Sequence, residues 1–308
     1  VLRRTLLSAA GNHQLRGLVT AAPPTRALVA RYVAGETRAD AIATATGLVR
    51  DGLEVTIDHL GEDTTDPEGA AAATAEVVGL LEGLGAAGLT SKVEVSVKLS
   101  ALGQALPAGG EQVALEHARA VCRVARNVGT TVTLDMEDHT TTDSTLRVLA
   151  ALRDDYPDTG VAIQACLLRS EADCEALAGR GSRVRLCKGA YDEPASVAHA
   201  ARAAVDRAYV RCARILMAGD GYPMLATHDP RLVAIGRALA AREGRTTRDY
   251  ELQMLHGVRP QEQRRLAGEG ERMRVYLPFG TDWYGYLVRR MAERPANLML
   301  FLRSLAPE

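Results

Sequence analysis

No two cysteines form a CxxC pair, and the five present (Cys122, Cys166, Cys174, Cys187 and Cys212) are odd in number and scattered. That spacing indicates neither a zinc cage nor a disulfide framework, and it reads as buried or reduced thiols in a cytosolic protein. No apolar run approaches the ~20 residues needed to span a bilayer. The opening "VLRRTLLSAAGNHQLRG" has basic residues and a few leucines but no continuous apolar core, which argues against a signal peptide. The formal net charge is −1 at pH 7, so no electrostatic footprint points to nucleic acid as a partner. A glycine-rich phosphate loop is missing too. The GxGxxG match "GLGAAG", Gly83 to Gly88, ends a helical stretch and precedes a strand, the reverse of the order a dinucleotide site requires. No low-complexity linker divides the chain.

What is present is a rhythm. Eight short β-rich runs recur: "LEVTIDHLG", "KVEVSVKLS", "TTVTLDMED", "GVAIQACLL", "RVRLCKGA", "PMLATH", "YELQMLHG" and "RVYLPFG". Between them lie Ala-, Leu- and Arg-rich stretches with helical spacing, such as "QVALEHARAVCRVARNVG". The interval is roughly 31 residues, the size of a βα unit. Strictly alternating strands and helices imply a parallel sheet, and eight units over ~250 residues predict a (β/α)8 TIM-type barrel. Residues 1–50 read as a helical segment packed outside a barrel formed by 51–308.

Such barrels place their chemistry at the C-terminal ends of the strands. The predicted rim carries Lys98 and Ser100 after strand 2, and Asp135, Glu137 and Asp138 after strand 3. Gln164, then Arg185 and Lys188, then Thr227 and His228 follow on strands 4 to 6. Strand 7 brings Gln253 and His256, and strand 8 brings Tyr276. Polar residues on seven strands point to a large polar ligand. On strand 5, residues two apart share a face, so Arg183, Arg185 and Cys187 point the same way. An arginine inside a barrel requires acceptor partners, because an unpaired buried charge is too costly. Gly189 would let a flat ligand approach the backbone. Near the C-terminus, Glu293 lies three and four residues after Arg290 and Arg289 and can brace both, a pair suited to a carboxylate. "DMEDH" allows a rival reading, a divalent metal held by Asp135, Glu137 and His228, although Lys98, Arg185 and Lys188 crowd the same rim. Lys98 or Lys188 as a Schiff-base lysine is a further alternative.

Taken together, "SVKLSALG", "LDMED", "IQACLLRS", "RLCKGAYDEP", "ATHD", "LQMLHG" and "VYLPFGTDWYGYLVRRMAERPANL" resemble the proline dehydrogenases, in the family's order. In length the chain resembles the small monofunctional bacterial members. The resemblance implies a distorted (β/α)8 barrel with extra N-terminal helices, a C-terminal helix over the active site, and FAD at the strand ends. It implies oxidation of L-proline to 1-pyrroline-5-carboxylate, with electrons passed to a membrane quinone. The product would go to a separate pyrroline-carboxylate dehydrogenase. By motif, Arg289, Arg290 and Lys98 would hold the proline carboxylate, with Glu293 orienting the arginines. Asp135 and Tyr276 would belong to the active site, and Arg185 would lie beside flavin N5. Met136, Gln164, Lys188, Gly189, Ala190, Thr227, His228 and Gln253 match flavin-contacting positions, with Cys187 where valine is usual. Tyr191 and Leu255 match the active-site wall. The location implied is cytoplasmic, peripheral to the inner face of the cytoplasmic membrane, and a flavin- or proline-binding sensor without turnover is the alternative within this reading.

Overall fold

The computed structural model describes residues 29–287. Eight parallel strands close into a barrel in chain order, with the first paired to the last. They are β1 (Glu54–His59), β2 (Val93–Val97), β3 (Val132–Leu134), β4 (Gly160–Gln164), β5 (Arg183–Cys187), β6 (Tyr222–Ala226), β7 (Glu251–Leu255) and β8 (Met273–Phe279). Six fall within the predicted runs, and β6 and β8 each begin one residue earlier, at Tyr222 and Met273. Helices α1 (Arg38–Arg50), α2 (Pro67–Ala86), α3 (Gly110–Val128), α4 (Thr142–Arg153), α5 (Ser170–Leu177), α6 (Arg202–Ala218), α7 (Pro230–Arg242) and α8 (Pro260–Gly268) surround it. Among the described residues no helix is long and apolar enough to cross a membrane.

Local chemistry starts and stops these helices. Thr37 and Asp40 form a reciprocal capping box at α1. Asp66 and Asp229 cap α2 and α7, each followed by proline at the first helical position. Helix α3 stops at Gly129, in the left-handed conformation that glycine adopts without a Cβ penalty. "GLGAAG" lies where it was expected, in the last turn of α2 and the turn beyond. Helix α1 packs on the outside of β1 and β8; residues 1–28 lie outside those described.

The two faces of the strands differ in kind. Val55 and Ile57, Val93 and Val95, Leu134, Ile163, Leu186, Leu252 and Leu277 are all buried in the apolar layer between strands and helices. The alternate positions face into the barrel, which in this fold is usually packed with branched aliphatic side chains. Here it holds ions. Glu94 takes Arg183 Nη2 at 2.5 Å, Arg274 reaches Glu54 at 2.5 Å and Glu251 at 2.7 Å, and Thr56 donates to Glu94 at 2.8 Å. Burial alone would raise the Glu94 carboxyl, but Arg183, Arg274 and Arg185 together hold it well below the usual carboxylate range. The arginines predicted to need acceptors inside the barrel have them.

Candidate active site

Above this ionic layer, at the C-terminal ends of the strands, lies a cavity of about 300 Å³, a size usual for small-molecule sites. Arg185 stands at its base, only 4% exposed. Its Nη1 donates to Asp135 Oδ1 at 2.6 Å and to Ser96 Oγ at 2.9 Å, and its Nε donates to Gln253 Oε1 at 2.7 Å. Its guanidinium also lies 5.1 Å from the Tyr276 ring centroid, within cation–π reach. Tyr276 donates its hydroxyl proton to Asp135 Oδ2 at 2.6 Å. Burial and the neighbouring Asp135 carboxylate push that phenol well above its ordinary value, so it stays protonated. Both oxygens of Asp135 are thereby committed, which makes it the brace between Arg185 and Tyr276.

The second cation is Lys98, which follows β2. Its ammonium donates to both oxygens of Asp58 at 2.8 and 2.7 Å and lies 3.9 Å from Asp135. Burial works against its charge, but Asp58 and Asp135 outweigh burial and raise its pKa. A lysine held protonated in this way is a poor Schiff-base nucleophile and a good anion holder. The third, Lys188, meets Asp206 of α6 at 2.5 Å and Asp229 at 3.7 Å.

The site residues that the family resemblance implies, where they are described, all line this one cavity. They are Lys98, Asp135, Met136, Gln164, Arg185, Cys187, Lys188, Gly189, Ala190, Tyr191, Thr227, His228, Gln253, Leu255 and Tyr276. Arg289, Arg290 and Glu293 lie outside the described residues. Cys187 is a neutral thiol, pushed up to about 12 chiefly by burial. His228 Nε2 accepts the Leu255 backbone N–H at 2.9 Å, which leaves the ring proton on Nδ1. The loop after β5, carrying Tyr191, is fastened to the loop after β3 where Glu193 accepts from the His139 backbone at 3.0 Å and pairs with its ring.

Several sequence expectations need correction. Glu137 does not join Asp135 at the cavity, because β3 ends at Leu134 and strand alternation no longer applies beyond it. Glu137 instead turns away from the cavity and accepts from Ser100 Oγ at 2.6 Å and Ser100 N at 3.1 Å. The proposed metal set Asp135, Glu137 and His228 is therefore not assembled, and among the described residues no cluster of three such ligands occurs. Ser100, Asp138 and His256 also leave the rim. Ser100 is occupied by Glu137, Asp138 accepts from Thr140, and His256 lines a separate pocket with Trp283. Gly189 is at φ +103, and a Cβ there would meet Cys166 Sγ at 2.3 Å. Backbone conformation and the packing of Cys166 therefore require this glycine whether or not a ligand approaches it.

Sequence reading missed five lining residues: Asp58, Ala162, Ala226, Met254 and Tyr286. Asp58 had a signal, since "EVTID" places Glu54, Thr56 and Asp58 on one face of β1. Tyr286 lies within the quoted C-terminal motif, but the alanines and Met254 carry none.

The donor set suits a flat, acceptor-rich ring system such as a flavin. One buried guanidinium, two further cations and the Gln164 and Gln253 amides converge on a cavity otherwise walled by Met136, Ala162, Met254 and Leu255. The family model described as proline dehydrogenase matches residues 41–301. The chain is 38% identical over 280 residues to the proline dehydrogenase of Deinococcus radiodurans, covering 90% of each. It is 37% identical over 281 residues to proline dehydrogenase 1 of Bacillus subtilis, covering 91% of each. Its fold resembles proline utilization A from Bdellovibrio bacteriovorus inactivated by N-propargylglycine, with a TM-score of 0.81 and 25% identity over 92% of this chain. The chain spans about a third, 34%, of that larger protein.

Proposed function

The chain belongs to the proline dehydrogenase family, and on that footing we propose that it oxidises L-proline to 1-pyrroline-5-carboxylate using FAD, with a membrane quinone as final electron acceptor. FAD bound in the cavity supplies the acceptor for the hydride leaving proline C5 and carries the electrons onward. The observation that carries this reading is the buried Arg185, held by Asp135, Ser96 and Gln253 with its guanidinium at the cavity.

In this reading the residues bind, orient and exclude water. Met136, Gln164, Cys187, Lys188, Gly189, Ala190, Thr227, His228 and Gln253 hold the cofactor. Arg185 opposes the negative charge that develops at the flavin on reduction. Lys98, kept protonated by Asp58, takes the proline carboxylate together with Arg289 and Arg290, which Glu293 orients. Tyr276, Tyr191 and Leu255 wall the ring and fix C5 in a reactive geometry, which supplies the orientation part of catalysis. Asp135 keeps Arg185 and Tyr276 in register, and its committed oxygens argue against it as the acceptor of the proline amine proton. On this reading the protein works in the cytoplasm, peripheral to the inner face of the membrane that would carry its quinone acceptor, and its product would pass to a separate pyrroline-carboxylate dehydrogenase.

The test is a visible spectrum of the purified protein, repeated anaerobically with L-proline. Flavin bands that bleach on addition are expected. A yellow protein unmoved by proline would favour a sensor, and a colourless one that FAD cannot reconstitute would overturn the cofactor reading.

A further inference from the structure

Arg185 depends on an amide that could point either way. Gln253 can offer a guanidinium its oxygen or, rotated, its NH2, and only the oxygen can accept from Arg185 Nε. The choice is made one layer lower in the barrel. Glu251, two residues earlier on β7 and therefore on the same face, accepts from Gln253 Nε2 through Oε1 at 2.5 Å. The Glu251 side chain is 0% exposed. Its other contacts are donors as well: Arg274 Nε at 2.7 Å, Arg274 Nη2 at 3.0 Å and the Tyr222 hydroxyl at 3.2 Å. An ionised carboxylate can only accept, so it must face the amide nitrogen, which leaves the amide oxygen for Arg185.

We infer that Glu251 is a positioning residue for the reaction: acting through Gln253, it holds the Arg185 guanidinium in the orientation that favours the reduced cofactor. This rests on the flavin reading above. Glu251 touches neither substrate nor cofactor in this scheme and lines no part of the cavity.

The sign of one measurement separates positioning from plain electrostatics. Removing a negative charge near a flavin eases its reduction and raises the midpoint potential. Loosening Arg185 has the opposite effect. For the FAD-loaded Glu251→Gln protein, dye-equilibration potentiometry is expected to show a fall. A tenfold shift in the two-electron reduction equilibrium corresponds to about 30 mV. Glu251→Asp keeps the charge while drawing the carboxylate back from Gln253, and it should also lower the potential; it carries the test if Glu251→Gln does not fold. In a Gln253→Met background, Glu251→Gln should produce no further fall, because the relay is already cut. A potential that rises or stays put in Glu251→Gln or Glu251→Asp, or an undiminished fall in the Gln253→Met background, would overturn the inference. A wild-type protein that takes up no flavin would overturn the cofactor reading, and this inference with it.

Discussion

The outward face of the barrel strands packs Val55, Ile57, Val95 and Leu277 against helices, while the inward face of the same strands stacks Glu54, Glu94, Arg183, Arg274 and Glu251. The outer layer stabilises by removing apolar surface from water, which is additive and tolerant of direction. The lumen gains little of that. A buried ion pair roughly repays its own desolvation, and well-packed apolar groups of equal volume often do as well or better. What an ionic lumen provides is direction: each carboxylate dictates where a guanidinium points, and the last guanidinium in the stack, Arg185, stands at the cavity base. The outer layer makes the barrel, and the lumen aims its active site.

A second contrast sharpens the first. Glu94 and Glu137 are both buried, yet their carboxyls move in opposite directions. Glu94 is held well below the usual range by three guanidiniums, whereas Glu137, facing a serine hydroxyl and a backbone N–H, is pushed up to about 7 mainly by burial.

The largest effect is expected from Glu94→Leu, which strands Arg183, Arg185 and Arg274 without their shared carboxylate. The cost should be about 3–5 kcal/mol in chemical denaturation, with a shifted flavin potential in whatever protein folds. Leu81→Ala, in the outer layer on α2 and 0% exposed, should cost about 2–5 kcal/mol while leaving the potential and the proline KM unchanged. A shifted potential in that variant would break the distinction between the two layers. Glu137→Gln probes the second contrast. A folded-state pKa above the ordinary carboxylate value contributes stability that is fully present below about pH 4.5 and lost as pH rises through about 7. Relative to wild type, the variant should therefore gain up to about 3 kcal/mol on going from about pH 4.5 to 8, and a pH-independent difference would refute the assignment. The smallest effect belongs to Lys92→Met at the solvent end of the lumen network. Lys92 meets Glu54 at 3.1 Å but is 53% exposed, so its loss should cost less than about 1 kcal/mol.

Much of this was legible from the residues in order. The βα rhythm announced the barrel because strand and helix periods differ, and no tertiary knowledge is needed to read a period. Residues on the sheet itself, such as Gln164, Arg185 and Gln253, were also predictable, since their side is set by parity. Beyond the strand ends parity stops working. Asp135 and Glu137 look like a pair in "DMED", but one enters the cavity and the other turns to Ser100 on the neighbouring loop. Asp58 escaped notice because its meaning depends on Lys98, 40 residues away.

The sequence by itself determined the alternation of elements, the charged character of the lumen and the motifs that mark the family, because each is written in local spacing. Only the tertiary structure decided which charge meets which. Strand register brings Glu94 to Arg183 across 89 residues and Arg274 to Glu54 across 220. Those pairings, set by barrel closure, fix where Arg185 points.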